Sequence, residues 1–183
     1  LALEPAADEG GTATVGALIA SARAGDRTAF GTLIEDHYDL IYRTAYKWAG
    51  NKADAEDVAQ DVCVKLASAL AGFDGRSTFS TWLYRITLNA VRDLQRARGR
   101  RGRQVLALTR VSPEDHPPDQ EEAATLSQLW RAVRALPEKQ RDAVLLVYAE
   151  DLNHAAAAEI MGCKEATVSW HIFEAKRALK GLL

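Results

Sequence analysis

Apolar residues recur along this chain at intervals of three and four, the period of an α-helix, and no convincing strand alternation appears. The spacing predicts a first helix over 14–24, ending near Gly25. Asp26 is a good N-cap for a long second helix with Phe30, Leu33, Ile34, Tyr38, Ile41, Tyr42 and Ala45 on its apolar face. Gly50 and Asn51 break that pattern. Asp54 then reads as the cap of a third helix, with Asp57 three residues on in the manner of a capping box, and with Val58, Val62, Leu66 and Leu70 as the buried seam. A fourth helix is predicted over 78–98. It carries Phe79, Trp82, Leu83, Ile86, Ala90 and Leu94 on one stripe, and Arg85, Asn89, Arg92 and Arg96 on another.

Residues 99–120 read as a linker, since Gly99, Gly102, Pro113, Pro117 and Pro118 discourage regular structure; Val105, Leu106 and Leu108 fit a short turn within it. Helical spacing resumes near Gln120 with Leu126, Leu129, Trp130, Val133 and Leu136. Pro137 fits the first position of the next helix, which bears Val144, Leu145, Val147 and Tyr148. A helix-turn-helix closes the chain: 153–161 capped by Asn153, a corner at Gly162-Cys163, and a last helix from Lys164, which is itself a poor cap. The run Ala155 to Ala158 gives little packing area, so the first of these helices is expected to be loosely held. The expected fold class is all-α: a disordered lead-in over 1–13, a four-helix domain over 14–98, a flexible linker over 99–120, and a helix-turn-helix domain over 121–183.

Composition changes this picture little. Of 183 residues, 48% are hydrophobic, ordinary for a folded protein, and the net charge of −2 says nothing by itself. The distribution of charge says more: 92–103 is almost purely basic, whereas 114–122 is almost purely acidic. With no apolar run of membrane length and no visible signal peptide, a cytoplasmic protein is expected. Cys63 and Cys163 lack metal-type spacing and read as packing thiols. His37, His116, His154 and His171 form no ligand-spaced set, and there is neither a phosphate loop nor a nucleophile grouping. The expectation is therefore a protein that is no enzyme, with no metal, no cofactor and no small-molecule substrate.

The candidate chemistry is recognition. On the fourth helix, arginines suit phosphates and Asn89 suits a base edge, while Phe73 in the preceding loop offers a stacking surface for an unstacked base. Gly75 lets that loop bend close to a ligand. A solvated basic face of a bundle helix fits the same stripe, and periodicity alone leaves both readings open. On the last helix, Val168, Ile172, Ala175 and Leu179 form a stripe to bury, which leaves Ala166, Trp170, Phe173 and Arg177 opposite. Two large aromatics facing away from a core call for a partner, either DNA in the major groove or another protein.

The segment Phe73-Asp74-Gly75-Arg76-Ser77-Thr78-Phe79-Ser80-Thr81-Trp82-Leu83-Tyr84-Arg85-Ile86 resembles the promoter −10 recognition segment of the extracytoplasmic-function (ECF, group 4) sigma factors. Asp54-Ala55-Glu56-Asp57-Val58-Ala59-Gln60-Asp61-Val62 resembles that family's polymerase-binding helix. Ala135-Leu136-Pro137-Glu138-Lys139-Gln140-Arg141 resembles the opening of its −35-binding domain. The three occur in the family's order, and the resemblance as a whole covers roughly residues 17–183. The resemblance implies a factor that binds core RNA polymerase, directs it to promoter DNA through −35 and −10 elements, helps melt the −10 duplex, and is held by an anti-sigma partner.

Carried over residue by residue, the −10 contacts fall on Phe73, Asp74, Gly75, Arg85, Asn89, Arg92 and Arg96. The −35 contacts fall on Lys164, Thr167, Ser169, Trp170, Phe173 and Arg177, and the polymerase contacts on Asp57, Val58, Gln60 and Asp61. Trp82 is assigned to the core and Asp54 to a cap. The acidic linker fits either a solvated tether or a mimic of RNA in the polymerase channel. The chain departs from the family at Ser169, Trp170, His171 and Glu174, where relatives are more basic or carry Ser, so the reading helix is less positive than usual. A stand-alone helix-turn-helix regulator accounts for 152–183 but leaves 73–98 unexplained. An interaction protein that engages the inhibitor without starting transcription is the third alternative.

Overall fold

The computed structural model describes residues 9–105 and 121–181, which form helices throughout with short connections between them. In chain order these are α1 (Glu9–Arg23), α2 (Arg27–Ala49), α3 (Lys52–Ala69) with a closing 3₁₀ turn (Leu70–Gly72), α4 (Phe79–Val105), α5 (Glu121–Ala135), α6 (Glu138–Val144), α7 (His154–Met161) and α8 (Glu165–Lys180). Helix α1 starts five residues earlier than its periodicity suggests, inside the stretch expected to be disordered.

Local chemistry sets the ends. Asp26 Oδ1 accepts from Thr28 N (2.9 Å) and Ala29 N (3.2 Å), starting α2 where the sequence places it. The start of α3 differs: Asn51, not Asp54, is the cap. Its Oδ1 accepts from Asp54 N (2.9 Å) while its Nδ2 donates back to Asp54 Oδ2 (3.0 Å), so Asp54 is the reciprocal partner three residues in. Asp54 is buried as well and is ion-paired with Arg98 of α4. Thr78 caps α4, its Oγ1 accepting from Thr81 N (3.1 Å). That helix does not stop at Arg98. It continues through Gly99 and Gly102 to Val105, because a glycine costs a helix only ~1 kcal/mol and the arginines around it are good formers. The first third of the expected linker is therefore helix. Residues 106–120, including the expected turn at Leu106 and Leu108 and the acidic run, lie outside the described residues.

Helices α1 to α4 share one core, with Leu33, Ile41, Val58, Val62, Leu66, Leu83 and Val91 buried. Tyr38, expected inside, is exposed and stacks on Tyr42, which stacks in turn on Tyr46. Helix α4 is buried over a wider front than its aromatic stripe, because Tyr84, Thr87, Leu88 and Val91 are enclosed too. The C-terminal half packs against it, principally through α7.

In that half, Pro137 precedes α6 at the cap position rather than occupying its first turn. A π turn over Leu145–Ala149 follows. Its wider winding shifts the register, so Leu145 and Leu146 are buried while Tyr148 points outward. Asn153 caps α7, accepting from Ala156 N (2.8 Å). Ala157 and Ala158 are buried, so the alanine run brings α7 close to its neighbours instead of leaving it loose. Gly162 turns the corner at φ +64, a backbone region that favours glycine. Lys164 makes no side-chain cap, as expected. Both cysteines are half-buried free thiols packed on the core, and burial pushes the Cys63 thiol up, away from reactivity.

Candidate nucleic-acid and polymerase interfaces

The loop between the 3₁₀ turn and α4 is a built feature. Arg23 of α1 donates from Nε to Leu70 O (2.9 Å) and from its Nη2 to Ala71 O (3.2 Å) and Phe73 O. One guanidinium thus ties three carbonyls of the loop together, one of which, Leu70 O, also accepts from Phe73 N (3.2 Å). Asp74 Oδ1 accepts from Arg76 N (3.1 Å), and Gly75 sits at φ +72 between them. Beside this loop lies a cleft of about 580 Å³ bordered by Ile19, His37, Phe73, Gly75, Ser77 and Phe79. Phe73 is a wall of that cleft and not a free platform. It is 8% exposed, its ring centroid 5.6 Å from Phe79 in a T-shape and 5.2 Å from Trp82. The outward groups are Asp74, Gly75 and Arg76.

On α4, Arg85, Asn89 and Arg96 are exposed, and Arg96 pairs with Asp93 (2.8 Å). Arg92 is set apart. Its side chain is largely covered, with its guanidinium against Asp142 and its Nε 2.9 Å from Glu138 Oε1. The stripe predicted for DNA is therefore present, with one of its four members engaged by the C-terminal half.

The acidic face of α3 requires a correction. Asp57, Gln60 and Asp61 are exposed, Asp61 pairing with Lys65 at 2.6 Å, but Val58 is 2% exposed and belongs to the core. One step further along the same face, Val64 is 75% exposed. Helical spacing puts 57, 60, 61 and 64 on one side, so the apolar member of this surface is Val64. The sequence carried this signal in the period itself: 58 falls in register with the buried 62 and 66, and 64 does not.

On α8, Val168, Ile172 and Ala175 are buried while Trp170 is 55% and Phe173 63% exposed, as the pattern predicts. Lys164, Ser169 and Arg177 are exposed and Thr167 is half-buried. Ser169 Oγ lies 2.9 Å from His154 Nδ1 and donates to Glu165 O (3.3 Å), so His154 joins the two helices of the motif at the reading face, a role its sequence position does not suggest. Arg177 is paired with Glu174 (2.7 Å), which further lowers the positive charge on this face. His171 turns inward, its pKa lowered by burial and then by Lys139. Beyond the motif, Leu129, Trp130, Val133, Tyr148 and Leu179 line a nearly wholly apolar cleft of about 380 Å³. Among the described residues no helix is long and apolar enough to cross a membrane, and no group of His, Cys, Asp or Glu is arranged to hold a metal ion.

A helix-turn-helix with free aromatics on its reading helix, joined to a four-helix unit bearing an Arg-Asn stripe beside a fixed loop, defines a two-part DNA-binding transcription protein. Residues 33–101 match the family model for Sigma-70 region 2, and residues 126–179 match that for Sigma-70, region 4. The chain is 32% identical to the ECF RNA polymerase sigma factor SigE of Mycolicibacterium smegmatis, across 99% of this chain and 70% of that one. It is 30% identical to the ECF RNA polymerase sigma factor SigW of Bacillus subtilis, across 88% and 92%.

Among solved structures, CnrH in complex with the cytosolic domain of CnrY superposes with a TM-score of 0.67 at 26% identity, covering 92% of this chain and 96% of that one. The sigma factor RpoE in complex with the anti-sigma factor NepR from Bartonella quintana gives 0.67 at 25%, covering 84% and 95%. The chain belongs to the ECF sigma factors of the sigma-70 family.

Proposed function

We propose that this chain is a group 4 sigma factor of the cytoplasm, which lends promoter specificity to core RNA polymerase while the polymerase supplies the chemistry. The observation that carries the reading is the presence on one chain of three separate outward surfaces: the α3 acidic face, the α4 stripe with its loop, and the aromatic face of α8. In this reading Asp57, Gln60, Asp61 and Val64 meet polymerase. Arg85, Arg92 and Arg96 hold phosphates of the −10 element, and Asn89 reads a base edge there. A base flipped from the −10 strand enters the cleft beside Asp74 and Gly75, with Phe73 as its wall.

At the −35 element, Ser169, Trp170 and Phe173 enter the major groove, with Lys164, Thr167 and Arg177 on the flanking backbone. With Arg177 already paired to Glu174, this contact leans on apolar readout of thymine methyls more than on charge. An anti-sigma protein is the expected regulator, since the structural relative RpoE is seen with the anti-sigma factor NepR, and the apolar cleft below Trp130 and Tyr148 is a place for a partner helix to dock.

The test is run-off transcription on fragmented genomic DNA, with core polymerase alone and with this protein, sequencing the RNA 5′ ends. New start sites sharing spaced −35 and −10 elements are expected. Binding to core without new starts, or a symmetric footprint without polymerase, would overturn the reading.

A further inference from the structure

Ser169 stands where α8 faces outward. Val168 and Ile172 are buried on the inner side, while Ser169 lies beside the exposed Trp170 and one turn before the exposed Phe173. Its hydroxyl is not free. Oγ lies 2.9 Å from Nδ1 of His154, the first residue of α7, and 3.3 Å from Glu165 O, one turn back on α8. A serine hydroxyl has one proton to give and two lone pairs to offer. A carbonyl oxygen only accepts, so the Glu165 contact takes that proton. His154 then donates from Nδ1–H to one lone pair, and the second lone pair is left over. With the ring proton on Nε2 instead, Nδ1 and Glu165 O are both acceptors, and the single hydroxyl proton goes to one of them. In either tautomer, and in the imidazolium, the proton of Ser169 is used within the protein and only acceptor capacity faces outward.

We infer that His154 makes Ser169 an acceptor-only reader of the −35 element, selecting at one base pair a base whose major-groove edge carries an amino group, adenine or cytosine, over guanine or thymine on the same strand. The inference rests on assigning α8 to the −35 element.

The groove supplies the discrimination. Adenine N6 and cytosine N4 present N–H donors at the base edge, whereas guanine O6 and thymine O4 present acceptors. Facing either oxygen, Ser169 must set lone pair against lone pair or turn its proton outward and give up an internal bond. The imidazole of α7 thus decides which way a hydroxyl on α8 can read, and His154 is a positioning residue for that contact. The cation on this face does not override the preference, since Arg177 lies about two turns further on and is held by Glu174 (2.7 Å). An arginine at position 169 would reverse it, because a guanidinium only donates.

The experiment uses the full chain assembled with core polymerase. Its probe is a promoter fragment recovered by run-off sequencing, with each base pair of the −35 element replaced in turn by the other three. Competition between fragments gives relative affinities. At one base pair the parent is expected to prefer adenine or cytosine over guanine or thymine on one strand by about fivefold, the scale of one neutral hydrogen bond. Ser169→Ala should remove that preference and leave the others, and Ser169→Arg should shift it to guanine. His154→Ala should narrow it at that position alone, because the hydroxyl is then held only by the longer bond to Glu165 O and can turn outward. A merely structural role for His154 would weaken all positions together. Replacing the preferred base by its analogue without the amino group should cost the parent the same factor and cost Ser169→Ala nothing. The inference is overturned if Ser169→Ala abolishes a preference for guanine or thymine, or if it alters no position while Phe173→Ala does. It is overturned as well if His154→Ala leaves the Ser169 position unchanged or lowers all positions alike. If neither Ser169→Ala nor Phe173→Ala alters any −35 preference, the assignment of α8 to the −35 element fails instead, a result distinct from the others.

Discussion

Phe73→Ala separates two roles for one ring. Were Phe73 an exposed platform, truncation would remove base stacking worth ~1–3 kcal/mol and leave stability alone. The structure encloses the ring between Phe79 and Trp82 at 8% exposure. Removing a buried phenyl costs ~3–5 kcal/mol through lost transfer and the cavity left behind. For a protein of this size each kcal/mol moves Tm by ~2–4 °C, so a drop of ~6–20 °C is expected. The assay is thermal and urea unfolding followed by far-ultraviolet circular dichroism, beside Phe73→Leu, which keeps most of the volume and should cost far less. A −10 binding assay on the stable leucine variant then reads the stacking contribution alone. A Phe73→Ala protein melting within ~2 °C of the parent, yet failing on −10 DNA, would refute the burial argument and make the ring a free platform.

Val64→Asp is expected to weaken core polymerase binding about tenfold while leaving the melting curve unchanged, since its side chain faces solvent; Val58→Asp should instead unfold region 2, and competition against another sigma factor for core distinguishes them. Arg23→Ala removes the guanidinium that ties Leu70 O, Ala71 O and Phe73 O together, so −10 affinity should fall while −35 duplex binding persists, measured on separate oligonucleotides. His171 has a lowered pKa in the fold, so the unfolded chain binds the proton more readily. Its contribution is full above the ordinary value of 6.5 and is lost as pH falls through and below it. Stability measured from pH 7.5 to 5 should therefore decline, and His171→Gln should flatten that decline.

Much of this was readable from residue order, wherever a local rule decides. The caps at Asp26 and Asn153, the corner at Gly162 and the outward aromatics of α8 each follow from chemistry within a few residues. Asn51 and Asp54 mark where local rules tie: both suit a cap, and three residues apart they form a reciprocal pair in which only one can stand outside the helix. The continuation of α4 past Gly99 shows that two glycines in a basic run do not end a helix that is already propagating. The π turn at Leu145 was not legible, because one added residue per turn leaves the composition unchanged and alters only which side faces in. Least legible of all was the role of Arg92. Its partners lie 46 and 50 positions further along, and nothing near Asp142 marks it as a carboxylate to be enclosed.

The contact between regions 2 and 4 also has a consequence for gene dosage. Because its two sides share a chain, each meets the other at an effective concentration in the millimolar range, whatever the amount of protein present. The ratio of packed to open molecules is then a property of the sequence, unchanged by dilution or overproduction. If one molecule in ten is open, apparent affinity for any partner of the open form is lowered about tenfold at every expression level. A separate inhibitor behaves differently, since its hold weakens as it is diluted or outnumbered. Making more of this protein would exhaust such an inhibitor but leave the packed-to-open ratio unchanged, whereas one substitution at Asp142, which pairs with Arg92 across the contact, would change that ratio without changing the number of molecules.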